Sequence, residues 1–323
     1  MFNYQQILED MTPAAIRAYA RRQMGRTVPP FWVITLVSMV LTTLVPDAVK
    51  SFCPVTMANG QLNALGLFLS ILMTLFMWVM EFGYTWWALD SADGEQGENA
   101  PGIHTLFNGF SMVSSVLMLE ISVAARKVLW STVIAVPAVL LTVTLLLPAT
   151  GDVGAVVSSV VMVAVVWGVY YIVSLRYVLA RYLMIDQGDG RRSSGRAIRD
   201  SIGLMRGQKM AFFKLQLSFL GWYLLIVLLM ILGVGLVSLV GWLDLSSVFA
   251  HVRGGNIAVA IGTVQSAPAV SLAMALLPLP VDLFLTPYTA VAAARFYRLR
   301  TQLAQCPPPV YEPEEHSYTG PEE

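Results

Sequence analysis

Six long apolar runs leave this chain few folds to choose from: Pro29–Pro46, Leu62–Leu89, Val128–Pro148, Ala155–Leu175, Leu215–Leu239 and Pro268–Ala293. Each is about as long as the roughly 20 residues that carry an α-helix across a bilayer core. Lipid offers no water to backbone N–H and C=O groups, so such a run must close its own hydrogen bonds, which a helix does. A soluble fold would have to hide these runs behind charged surface. Only 12% of the 323 residues are charged, against roughly 25% in an average soluble domain, and 56% are hydrophobic. The expected fold is all-α, a polytopic membrane helix bundle with six transmembrane helices.

Orientation follows from the cations. Of twenty Lys and Arg residues, four precede the first run, two precede the third, nine lie between Tyr170 and Lys214, and three follow the sixth. Only Lys50 and Arg253 fall on the other side. The positive-inside rule then puts both termini in the cytoplasm and the protein in the cell (cytoplasmic) membrane. The N-terminal segment lacks the short apolar core and small-residue site of a cleaved signal peptide, so the first run is expected to stay as an anchor. Residues 1–300 read as a single membrane domain and the Pro- and Glu-rich 301–323 as a disordered tail. Cys53 and Cys306 fall on opposite sides, which rules out pairing with each other.

Between the runs lie amphipathic segments expected to rest on the cytoplasmic surface. From Met11 to Gly25, Thr12 is a natural N-cap and Pro13 suits the first helical position; Ile16, Tyr19, Ala20 and Met24 share a face. Ile103–Leu117 and Ser194–Gly207 have similar spacing, the latter burying Ile198, Ile202 and Met205. Gly25, Gly109 and Gly207 would close the three helices. Together with aromatic, acidic exits (Asp90, Asp93, Gly94; Asp186, Asp189, Gly190), this outlines parallel repeat units over 12–94, 103–190 and 194–300.

The S-x-x-L-M-x-G-x-K run from Ser201 to Lys209 and the following Ser218, Phe219, Gly221 and Trp222 are distinctive. So are RYVLARYLMID (Arg176–Asp186), IRAYARRQMGR near the N-terminus, and Pro287, Tyr288, Phe296 and Tyr297. With these residues the chain resembles the bacterial integral-membrane family called domain of unknown function 975. The resemblance implies a bacterial membrane fold and supplies no biochemical activity.

Ionisable groups inside a bilayer cost roughly 2.5–3.5 kcal/mol each on insertion scales, so each one needs a reason. Asp282, just beyond the LPLP break, is the sharpest case: an intramembrane site for a proton or cation, a counter-charge for a cationic substrate, or a structural partner of Arg176 or of a Tyr hydroxyl. Glu81 sits near the inner end of the second run, and Glu120 has Arg126 and Lys127 close by in sequence. Asp282, Glu81 and Arg176 form the candidate intramembrane polar site. Arg192, Arg196, Arg199 and Arg206, with Arg17 and Arg21, are the candidate contacts for anionic lipid. His104, His251 and His316 are scattered, and no metalloprotease, phosphate-loop or nucleophile-elbow motif is present. No enzyme activity, cofactor, metal or nucleic-acid partner is expected. The functional expectation is a membrane protein that binds or organises lipid or a membrane partner through its amphipathic helices. The alternative is a small transporter or channel with an acidic site at Asp282.

Overall fold

The computed structural model describes residues 4–27, 29–56, 61–94, 101–146, 152–187, 193–241, 246–248, 250 and 268–306. The architecture over these is all-α. Helix α1 (Tyr4–Asp10) leads into α2 (Pro13–Met24), which starts as its sequence dictates: the Thr12 hydroxyl accepts from the Ala15 N–H at 3.4 Å, and Pro13 stands where a missing N–H leaves nothing unsatisfied. The first apolar run forms α3 (Phe31–Met39) and α4 (Val45–Phe52), joined by one wide π-turn, Val40–Leu44. Pro46 accounts for that turn, since it has no N–H for the Thr42 carbonyl and its ring crowds that oxygen.

Helix α5 (Ala64–Asp93) runs thirty residues and stops at Gly94, whose φ of 73° is the left-handed conformation of a C-cap. The surface helix expected over Ile103–Leu117 is corrected here. A 3₁₀ turn (Ile103–Phe107) and the short α6 (Asn108–Ser111) lie against α5, and the chain then bends by 83° into α7 (Val113–Leu146). Gly109 is no helix end. It is a crossing point, where an added Cβ would lie 2.5 Å from the Val79 carbonyl oxygen.

Helix α7 continues through Arg126, Lys127 and Pro137 and packs along α8 (Asp152–Ser174). Then come α9 (Ala180–Asp186), α10 (Ser194–Leu204), α11 (Lys209–Leu217) and α12 (Leu220–Leu239). The run that begins at Leu215 is thus broken at Ser218–Phe219. The last run is divided as well, into α13 (Pro268–Leu276) and α14 (Leu279–Gln305), because Pro278 and Pro280 cannot continue a helix that precedes them. Thr301–Gln305 belongs to α14 and Leu303 is buried, which moves the start of the tail beyond Gln305. The remainder of the tail, with Asp189, Gly190 and Arg192, lies outside the described residues. Cys53 and Cys306 are both free.

Among the described residues, three helical segments are long and apolar enough to cross a membrane: Phe31–Phe52, Ala64–Asp93 and Leu220–Leu239. The bent pair Ile103–Ser111 with Val113–Ile134 makes a fourth if it counts as one span. Only 11–22% of the apolar windows of the first three is buried within the protein. Leu224, Leu228, Ile231 and Leu232 of α12 stand more than half exposed, a surface suited to lipid and costly in water at about 25 cal/mol per Å².

The core sits at one end of these helices. It joins Ile16, Ala20 and Met24 of α2, Val79–Ala92 of α5, α9, the first half of α10, and Leu285–Leu303 of α14. The apolar faces of α2 and α10 are therefore covered by protein: α2 packs on α14 and α5, α10 on α9 and α7. The amphipathic pattern is present as expected. What fills its apolar side is the rest of the chain.

Candidate functional site

Where α5, α7 and α9 converge, three charged side chains meet. The Arg181 Nε donates to Glu120 Oε1 at 2.6 Å and its Nη2 to Glu120 Oε2 at 3.1 Å, a two-pronged pairing; Nη2 also donates to Glu81 Oε2 at 2.9 Å. Glu120 is 10% exposed, Arg181 30% and Glu81 46%. Arg181 is placed by its neighbours Leu179, Ala180, Tyr182 and Leu183, all buried, which lock α9 into the core. Burial works against the guanidinium charge, but the Glu120 and Glu81 carboxylates outweigh it and hold the Arg181 pKa above its ordinary value.

Two cavities adjoin this centre and a third lies beside them. One of about 280 Å³ is lined by Glu120, Lys127, Ser174, Tyr177 and Arg181. A second, about 230 Å³, lies among α3, α5 and α14 and shares Thr85 and Arg181 with the first. The third, about 390 Å³, is mostly apolar and shares Tyr84 and Thr286 with the second. Lys127 stands beside the first cavity, its ammonium 5.9 Å from the Tyr170 ring centroid.

A second charged junction ties the helix ends. The Arg298 fork holds Asp93 (Nε to Oδ1, 2.7 Å, and Nη2 to Oδ2) and Asp186 (Nη1 to both oxygens, 2.6 Å), while the Tyr297 hydroxyl donates to Asp186 Oδ2 at 2.6 Å. The exits of the three sequence units thus meet, two supplying carboxylates and the third a cation. Because the fork engages two carboxylates at once, Arg298→Lys is expected to lose about 1–2 kcal/mol in detergent unfolding despite keeping the charge. Stability equal to the wild type would show the fork to be incidental.

The sequence-predicted residues divide clearly. Glu81 is in the charged centre. Arg176 is not; its guanidinium lies over Trp130, 5.7 Å from the ring centroid, and its carbonyl accepts from Ser201 Oγ at 3.0 Å. Asp282, half-buried in the first turn of α14, has no ion pair among the described residues. The expected Asp282–Arg176 pair fails on distance. Arg300 bonds to the Leu204 carbonyl, one turn from Ser201 and hence from Arg176, whereas Asp282 lies roughly 27 Å earlier along α14 at 1.5 Å per residue. Nor does Glu120 take Arg126 or Lys127. Lys127 is two turns up the same helix, roughly 10 Å away, and Arg181 reaches Glu120 directly. Arg181 was the missed residue, and the two arginines of RYVLAR were its only signal.

Among the lipid candidates, Arg17 turns inward, donating to the Ser218 carbonyl at 3.2 Å and the Pro13 carbonyl at 3.4 Å. Arg21, Arg196, Arg199 and Arg206 are exposed with no ion pair among the described residues, as are Arg22 and Arg26. Arg295, by contrast, sits over Tyr19 at 4.2 Å and pairs with Asp10 at 3.6 Å.

Comparison with curated proteins and with solved structures finds no match. Residues 11–304 match the family described as protein of unknown function (DUF975), and they include α2, the charged centre and the Arg298 junction. A match over that much of the chain makes the chain a member of this family of proteins of unknown function.

Proposed function

We propose that this protein is a non-enzymatic, multi-pass protein of the cytoplasmic membrane whose packed end faces the cytoplasm and holds anionic lipid headgroups on its exposed arginines. The observation that carries this reading is the sorting of the arginines. Those pointing inward each meet a carboxylate, carbonyl or ring, while Arg21, Arg22, Arg26, Arg196, Arg199 and Arg206 remain exposed and without ion pairs among the described residues. Helices α2 and α10 both pack against α14, between Arg295 and Arg300, so these cations share one end of the molecule. Six crossings with both termini inside accompany the reading, supported by the eighteen of twenty Lys and Arg on one side.

Each such cation contributes about 1 kcal/mol near an anionic surface. Replacing Arg196, Arg199 and Arg206 together by Gln is expected to weaken retention of anionic phospholipid about a hundredfold, read by native mass spectrometry of the purified protein. Arg17→Gln, whose side chain is turned inward, should leave retention unchanged. Equal retention of zwitterionic lipid, or wild-type retention by the triple variant, would rule the reading out.

A further inference from the structure

Four of the six hydroxyl groups that line the 230 Å³ cavity have their protons already committed. Thr42 Oγ1 donates to the Ser38 carbonyl at 2.8 Å, and Thr85 Oγ1 to the Glu81 carbonyl at 2.9 Å. Thr35 Oγ1 donates to the Phe31 carbonyl at 2.9 Å, so its 3.1 Å contact with the Tyr84 hydroxyl is one in which Tyr84 donates. A threonine in a helix directs its proton to the preceding turn in this way, and its oxygen is left with lone pairs only. Thr42, Tyr84 and Thr85 therefore line the cavity as acceptors. Glu81, on the same wall, engages Arg181 through Oε2 and adds a carboxylate. Ser38 is nine-tenths buried and also lines the cavity.

The charges point the same way. Arg181 also lines this cavity, but it is matched by two carboxylates, which leaves the Glu81–Arg181–Glu120 group one negative charge in excess, and Lys127 lines the neighbouring cavity rather than this one. A ligand that suits such a wall brings N–H donors and a positive charge. The volume argues against a bare ion, since a water molecule occupies about 30 Å³ and the cavity would hold several. Met39 supplies an apolar patch for a short carbon chain.

We propose that the cavity among α3, α5 and α14 binds a small primary ammonium ion, its N–H groups received by Glu81, Thr42, Tyr84 and Thr85 and its carbon chain lying toward Met39. This site is separate from the arginines of the lipid-binding reading and stands or falls without them. Asp282, expected from sequence as the acidic site, does not line it; Glu81 takes that place.

The test is calorimetric titration of the full chain in detergent with propylammonium, tetramethylammonium and 1-propanol. Propylammonium should give saturable binding. Tetramethylammonium, which has charge without donors, and 1-propanol, which is uncharged, should not. Glu81→Gln is expected to abolish the signal. Thr42→Val, which keeps the side-chain shape and leaves Arg181 untouched, should weaken binding about tenfold, and it decides the matter if the Glu81 variant does not fold. No saturable propylammonium binding, equal binding of tetramethylammonium, or an unchanged affinity in Thr42→Val would each overturn the proposal.

Discussion

Arg181→Met is expected to destabilise the protein by about 3–5 kcal/mol, the cost of removing one partner from a buried ion pair. The penalty comes from what is left behind. Glu120, only 10% exposed, would be left with no cation in contact, because Lys127, two turns up α7 on the wall of the same cavity, lies beside Tyr170. The double variant Arg181→Met with Glu120→Leu should recover most of the loss, since apolar side chains of similar volume replace buried ion pairs at little cost. Glu81→Gln alone should cost under about 1 kcal/mol, because that side chain is nearly half exposed. Unfolding of the purified protein in detergent micelles measures all three. If the double variant were as unstable as Arg181→Met, the stranded charge would not be the cause.

The charged centre also marks where sequence reading stops. Periodicity and capping chemistry are local: Thr12, Pro13 and the Ile16, Ala20, Met24 face define α2, and the structure has all of them in place. Pro278 and Pro280 likewise break the last run where a missing N–H requires it. What covers an apolar face is not a local property. The α2 stripe reads equally well as lipid-facing or as packed on α14, and the choice depends on a helix more than 250 residues away in sequence. Pairings share this difficulty. Glu120 has two cations within seven residues and takes neither, since helical geometry keeps Lys127 two turns off while the fold brings in Arg181 from 61 residues away. The cavity was legible only in its materials. The i, i+3, i+7 spacing of Thr35, Ser38 and Thr42 puts them on one helix face, but nothing in it names Glu81 and Thr85 as the wall opposite.

The largest steric effect is expected at Gly83. An added Cβ there would stand 1.8 Å from the Leu106 carbonyl oxygen and 2.5 Å from its carbon, both backbone atoms that cannot swing aside as a side-chain tip can. Gly109 is its counterpart across the same crossing, 2.5 Å from the Val79 carbonyl oxygen. Alanine at either position must push the Ile103–Ser111 segment off α5, and the 83° turn into α7 begins from that seat. Overpacking of a tight core typically costs 1–3 kcal/mol, occasionally more, and a clash with backbone on both sides belongs at the top of that range. Gly83→Ala should therefore lose about 3 kcal/mol or more in micellar unfolding. Combining it with Gly109→Ala should cost less than the sum of the two, because both relieve the same contact. Gly168→Ala, inside α8, is the control: nothing lies within 4 Å of its added Cβ, and alanine in the middle of a helix gains up to about 1 kcal/mol over glycine. Because α7 carries Glu120, separating the crossing also draws that carboxylate away from Arg181, so Gly83→Ala should shrink the further loss caused by Arg181→Met. Full additivity of those two substitutions would show that the crossing and the charged centre are independent.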